Sequence, residues 1–354
     1  MSKGSTMTSA SRRMRALSAM LVVVVMLLVP AAARGALSPP RPTGPAPVGL
    51  VRTTLIDRHD RNPLVPGGGP NLIPLRVWYP ATAPAAAPGP VLTQAEQAAY
   101  ETAFELPAHA LDGMGATTTA AAPPARGRHP VLLLSHGVGG STAFHTAQAT
   151  DLASHGYVVI GIDLPGDATV VDVGGGRLVP MNPRGESFVS GHGFKPRVAD
   201  LRYVLAHLAR IHGAGRFDVS HVGAFGHSLG AAAVAGAMLA DRRLHAGVLL
   251  DGVLGPNAPP GSITRPVGIA WGNHPLTDRF LVATRRRLRG PHPFKHFTTA
   301  GHSAFTDFVW MVPQLHVDPV AAGIEVGTVA PATAIRGQRA FLLQFFDRYL
   351  RGRS

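Results

Sequence analysis

The chain has 354 residues, no cysteine, and a formal charge of +13 from 33 Lys+Arg against 20 Asp+Glu. That length buries one large core or two ordinary ones. The missing thiol excludes disulfides, thiolate zinc sites, a cysteine nucleophile and a lipid-modified N-terminal cysteine. The charge alone does not call for nucleic acid, because only Lys3, Lys195 and Lys295 are lysines and the Arg-, Ala-, Gly- and Pro-heavy pattern fits biased codon usage.

Arg12, Arg13 and Arg15 precede an apolar run from Ala16 to Val29, and Pro30 with Ala31–Ala33 follows. This is the layout of a cleaved secretory signal over residues 1–33, and the run is short for a membrane anchor. Cleavage there removes four cations and no acid, lowering +13 to +9, and implies a secreted or cell-envelope protein. Residues 34–48 read as a Pro-rich tether without fixed structure. Residues 49–354 then form a single domain.

That domain opens on two strands, 48–56 and 72–79, separated by the turn signal NPLVPGGGP. Thr93, with Glu96 three residues on, predicts a capped helix to about Leu106. From Pro130 the texture alternates. Strand 131–134 leads to SHGVGG, helix 144–155 and strand 157–163, followed by a Gly-rich excursion over 164–194 without clear periodicity. Helix 196–211 carries Val198, Leu201, Val204, Leu205 and Leu208 on one face. Strand 221–225, helix 229–240, strands 247–251 and 266–271, helix 276–289, strand 294–298 and a last amphipathic helix, 335–350, complete the series. Apolar strands alternating with helices predict an α/β fold, a mostly parallel central sheet covered on both faces.

Gly226-His227-Ser228-Leu229-Gly230 sits between a strand and an Ala-rich helix. A G-x-S-x-G turn there exposes a serine hydroxyl at the start of the helix, and small flanking residues avoid clashes. Ser228 is therefore the candidate nucleophile. His302, in AGHSAF after the last strand, stands where a base is expected. Asp251, ending GVLLD, is favoured as the acid over Asp278, which follows the next strand. The oxyanion donors are placed at the backbone N–H of Leu229 and of Val138, in the loop after strand 131–134. His227 is expected to face away from the nucleophile and His136 to shape the turn before that loop. Phe305, Phe308 and Trp310 read equally as acyl-pocket lining or as core.

SHGVGGSTAFHTAQATDLASHGYVVIGID, GHSLGAAAV…LHAGVLLDG and AGHSAFTDF together resemble the platelet-activating factor acetylhydrolase family, the secreted and type II group of α/β-hydrolases. The similar region runs from RVWYP (76–80) to the last helix. The resemblance implies Ser228 as nucleophile, Asp251 as acid, His302 as base, and Val138 and Leu229 as oxyanion donors. It also implies calcium-independent hydrolysis of short or oxidised sn-2 acyl chains, within a class that includes simple ester and polyester hydrolases. Residues 164–194 depart from the family pattern, so substrate choice is where the resemblance says least.

No H-E-x-x-H, GxxxxGK[ST] or GxGxxG stands in a fitting context, so no metal or nucleotide cofactor is expected. Arg285, Arg286, Arg287 and Arg289 read as a solvated face, or as attraction to an anionic lipid surface. No nucleic acid and no protein partner is implied. The reading is a secreted serine esterase for short acyl or phospholipid esters. The alternatives are a lipase, cutinase-like or polyester hydrolase, and a non-catalytic lipid-binding protein on the same scaffold.

Overall fold

The computed structural model describes residues 36–353 apart from 66, 68, 85–86, 184–193, 212 and 256–257. The expected leader, residues 1–33, and the end of the Gly-rich excursion lie outside the described residues. The strands are β1 Val48–Asp57, β2 Asn71–Pro80, β3 Thr119–Ala120, β4 His129–Ser135, β5 Val158–Ile162, β6 Val170–Asp172, β7 Leu178–Pro180, β8 Phe217–His227, β9 Ala246–Leu250, β10 Val267–Trp271 and β11 Phe294–His296. The helices are α1 Gln94–Ala103, α2 Thr146–Ser154, α3 Lys195–Ala206, α4 Leu229–Ala240, α5 Arg279–Arg287, α6 Phe308–Leu315 and α7 Pro331–Leu350.

Among the described residues, nine strands form one sheet in the order β11-β10-β9-β8-β4-β5-β2-β1-β3. From β5 through β11 every pairing is parallel, and β2 joins β5 and β1 antiparallel. The continuous apolar run of β4 follows from burial on both faces. Leu132 and Leu134 pack with α2 and α7, whose Ala147, Leu152, Leu342 and Phe346 are buried. Val131 and Leu133, pointing the other way, pack with α3 and α4, where Leu201, Val204, Ala231 and Val234 are buried. Period-two alternation thus assigns one strand to two cores.

The capping box at α1 is present in both directions, Thr93 Oγ1 accepting from Glu96 N–H and Glu96 Oε2 accepting from Thr93 N–H. Glu96 does more than cap. Its carboxylate accepts from Arg52 Nη1 at 2.6 Å, Arg76 Nη2 at 3.0 Å and the Asp172 N–H at 3.0 Å, tying α1 to β1, β2 and β6. Arg76, 1% exposed, also pairs with Asp163 at the end of β5. Asp163 in turn accepts from the Thr142 N–H and from the hydroxyls of Ser141 and Thr142, fixing the segment that follows β4.

Three expectations change. Residues 36–48 are not a loose tether: Leu37 is buried, Thr43 N–H donates to Asp151 Oδ1, Gly44 N–H to Ser154 Oγ, and Arg339 donates to the carbonyls of Pro40 and Arg41. The excursion over 164–194 contains the hairpin β6–β7, read as irregular because each strand is three residues long. Helix α6 was missed because Pro313 lies inside it, where a ring ordinarily breaks the pattern. Among the described residues no helix is long and apolar enough to cross a membrane.

Burial alone would raise the Glu96 carboxyl, but Arg76 and Arg52 outweigh it and hold it down to about 2. Its stabilisation is therefore full above the unfolded value of about 4.3 and is lost as pH falls through about 2. Glu96→Gln is expected to cost about 3 kcal/mol at pH 7, the lower end for a broken buried pair because Asp163 still faces Arg76. Urea unfolding at pH 7 and pH 3 checks this: the gap to wild type narrows at the lower pH.

Candidate active site

β8 runs to His227, and α4 begins at Leu229, so the chain reverses at Ser228 alone. Ser228 has φ 55° and ψ −122°, a strained conformation for a residue with a side chain. The flanking glycines are there because of contact distances. A Cβ at Gly226 would stand 2.5 Å from the Gly230 carbonyl carbon, and one at Gly230 would stand 2.1 Å from the Ser135 carbonyl oxygen. Ser228 N–H donates to the Leu250 carbonyl at 3.0 Å, which ties the turn to β9.

Asp251 follows β9, also at positive φ (44°), with its N–H on the Ala270 carbonyl. Its carboxylate is fully buried. Oδ1 accepts from the Gly272 N–H at 2.7 Å, and Oδ2 accepts from His302 Nδ1 at 2.6 Å and from His274 Nε2 at 3.0 Å. Burial pushes this carboxyl up, but the hydrogen bond and charge of His302, helped by Gly272 and His274, leave it below its ordinary value. An ionised Asp251 takes an N–H from each imidazole, so His302 carries its proton on Nδ1 and offers the Nε2 lone pair outward. His302 opens the 3-10 turn 302–305 after β11, its side chain about one third exposed. Asp278 is occupied elsewhere: it caps α5, accepting from the Phe280 and Leu281 N–H groups.

The loop after β4 closes against the turn, for a Cβ on Gly137 would lie 3.2 Å from the Cβ of Ser228. Among the described residues the Val138 N–H has no acceptor, and the Leu229 N–H, first in α4, has no place in the intrahelical ladder. Gly139, at φ 68°, donates to the Asp167 carbonyl, and its own carbonyl accepts from Thr169 N–H and Oγ1. His136 shapes this turn: Nδ1 donates to the Gly137 carbonyl while Nε2 accepts from the Leu164 N–H. Burial and the nearby Arg197 keep it neutral, well below the usual histidine value.

Arg197, His227 and His274 were not among the candidates. Arg197, 2% exposed in the first turn of α3, donates to the carbonyls of His136 and Gly137 and pairs with Asp167 at 2.7 Å. It therefore holds the loop from behind. His227 does not stand idle, since its Nε2 donates to the His302 carbonyl at 2.9 Å and its ring lies 4.5 Å from that of His302. Burial and the charge of His302 drive its protonation well below the ordinary value, so it acts as a neutral donor. For His274 the only available signal was a histidine just past β10.

Of the three residues read as pocket lining or core, Phe305 and Trp310 are core, 0% and 3% exposed. Phe308 is half-buried and stacks on Phe144 at 5.0 Å. Arg285, Arg286 and Arg289 are exposed, as on a solvated face; Arg287 donates to the carbonyls of Gly261 and Pro259, and Arg285 lies over the Phe294 ring. His292 and His296 join no cluster of potential metal ligands among the described residues. Asp251, His274 and His302 do bring ligand-type atoms within 4.8 Å of one another.

The family described as platelet-activating factor acetylhydrolase, isoform II, matches residues 90–167. A protein named probable 1-alkyl-2-acetylglycerophosphocholine esterase, from Arthroderma benhamiae, is 26% identical over 248 residues, covering 64% of this chain and 62% of its own. The chain thus spans less than two thirds of that relative's length. A ferulic acid esterase from Streptomyces cinnamoneus, 29% identical, superposes over 88% of this chain and 92% of its own with a TM-score of 0.75. The chain has the α/β-hydrolase fold, and the family resemblance read from its motifs holds.

Because the turn at Ser228 depends on backbone contact, Gly230→Ala is expected to cost several kcal/mol, whereas Gly215→Ala, whose Cβ meets nothing within 4 Å, is near neutral. Thermal unfolding of the two variants side by side checks it. Equal midpoints would contradict the steric account.

Proposed function

We propose that the chain is an exported serine esterase that cleaves short-chain carboxylic esters, the sn-2 acetyl or oxidised acyl groups of phospholipids foremost. The observation that carries this is Asp251 Oδ2 on His302 Nδ1 at 2.6 Å, in a chain that also presents Ser228 on a strained strand-to-helix turn. Ser228 Oγ attacks the carbonyl carbon and His302 Nε2 takes its proton. Asp251 stabilises the imidazolium through Nδ1–H. The negative oxygen of the tetrahedral intermediate is met by the N–H groups of Val138 and Leu229, with the positive end of α4 behind them. The intermediate collapses, His302 returns the proton to the leaving alcohol, and water activated by the same nitrogen releases the acid.

The phospholipid assignment is supported by the matched family and by the Arthroderma benhamiae relative's name. A second reading keeps this mechanism and changes the acyl group. The ferulic acid esterase, 29% identical and superposing over 88% of this chain, supports hydroxycinnamate esters as that alternative. Export is supported by the charged and apolar pattern of residues 12–33.

Ser228→Ala is expected to lower kcat on p-nitrophenyl acetate by at least about a thousandfold. Full turnover by that variant would sink the reading, whereas a folded wild-type chain with no ester turnover would leave a lipid-binding role on a hydrolase scaffold. A panel of an sn-2 acetyl phospholipid, methyl ferulate and long-chain p-nitrophenyl esters ranks the substrates. Preference for acyl chains of about eight carbons or more contradicts the short-chain assignment and points to a lipase or polyester hydrolase.

A further inference from the structure

Asp251 serves two imidazoles with one oxygen, and the proposed ester chemistry uses only one of them. His274 Nε2 and His302 Nδ1 approach Asp251 Oδ2 at 3.0 and 2.6 Å, and all three ligand-type atoms lie within 4.8 Å of one another. One carboxylate and two imidazoles are the donor set of three-ligand zinc sites that leave a coordination position open. Both histidine side chains are about one third exposed, so an ion reaches them from solvent, while the carboxylate is fully buried.

Neighbouring contacts fix the carboxylate itself and the backbone of both histidines. Asp251 Oδ1 is fixed by the Gly272 N–H, leaving Oδ2 to face the two rings. The His302 carbonyl is held by His227 Nε2, and the His274 carbonyl accepts from Trp271 Nε1 at 3.2 Å. The Trp271 ring stands edge-on to the His274 ring at 5.3 Å.

We propose that Asp251, His274 and His302 bind a divalent transition metal of the zinc class, and that the bound ion switches the esterase site off. Coordination by His302 Nδ1 needs that nitrogen's lone pair, so its proton moves through solvent to Nε2. His274 likewise transfers its proton from Nε2 to Nδ1, so no proton is lost overall. His302 Nε2 then carries a hydrogen and has no lone pair for the Ser228 proton. Asp251, bound to the ion, no longer supports an imidazolium. The inhibition half of this proposal rests on the esterase reading; the binding half does not.

Zinc is titrated into folded Ser228→Ala protein against a chromophoric chelator, alone and with His274→Phe or the milder His274→Gln added. Wild type and the two single His274 variants are assayed with zinc, each against its own metal-free rate. One ion per chain is expected, weakened about 10-fold or more by either His274 change, a size that loss of even a supporting contact causes at metal sites. Wild type should lose activity in the same concentration range, recover with a chelator, and ignore magnesium. Undiminished binding in both His274 variants, or zinc inhibition that neither variant relieves, overturns the proposal. A wild-type chain without turnover removes the esterase reading, and the binding titration still decides the metal site.

Discussion

At the carboxyl edge of β8 the backbone must turn from strand to helix through one residue, and the site is arranged around that reversal. Ser228 takes φ 55° to do it, a conformation costing about 1–3 kcal/mol for a residue with a Cβ. The offset comes from both sides of the turn. α4 is buried along nearly its whole length, and the Ser228 N–H is held on the Leu250 carbonyl. No side chain fits at 226 or 230, because the β4 edge and the first turn of α4 already occupy that space. A Cβ at Gly252 would likewise fall 2.2 Å from the Ser228 carbonyl oxygen, so β9 must leave its strand without a side chain there.

Two networks of buried ion pairs flank this turn. Arg197 and Asp167 hold the 136–140 loop from beneath, while Arg76, Glu96 and Asp163 hold the segment after it. Breaking a buried pair strands a charge, so the two networks fix the loop carrying Val138 more firmly than its exposed tip suggests. Asp251 follows the same logic at the opposite side. It is fully buried yet ionised, because two imidazoles and one backbone N–H share its two oxygens.

What the sequence made legible was local. The G-H-S-L-G turn declares itself through its own glycines, and the strand ends place Asp251 and His302 without knowledge of their partners. The bounds of α4 were readable to the residue, and those of β1 and β2 within a residue or so. Contacts made across the fold were not readable. Nothing near Arg197 announces a guanidinium beneath a loop about 60 residues away in sequence, and His274 meets Asp251 only because β9 and β10 are neighbours. Residues 36–48 failed for a related reason. A Pro-rich stretch has no internal drive to order, but α2 and Arg339 of α7 supply donors and acceptors that seat it. Phe305, Phe308 and Trp310 show the limit of reading pocket from aromaticity, since the packing of α6 decides which of them are core.

In the proposed mechanism Ser228 becomes covalently acylated during turnover. Rapid acid quench of folded protein mixed with p-nitrophenyl acetate, followed by peptide mass analysis, tests it most directly. One acetyl group is expected on Ser228, absent in Ser228→Ala and prolonged when His302 is replaced by Ala. Hydrolysis that proceeds at the wild-type rate with Ser228 unmodified, or acetyl carried on another residue, would contradict it.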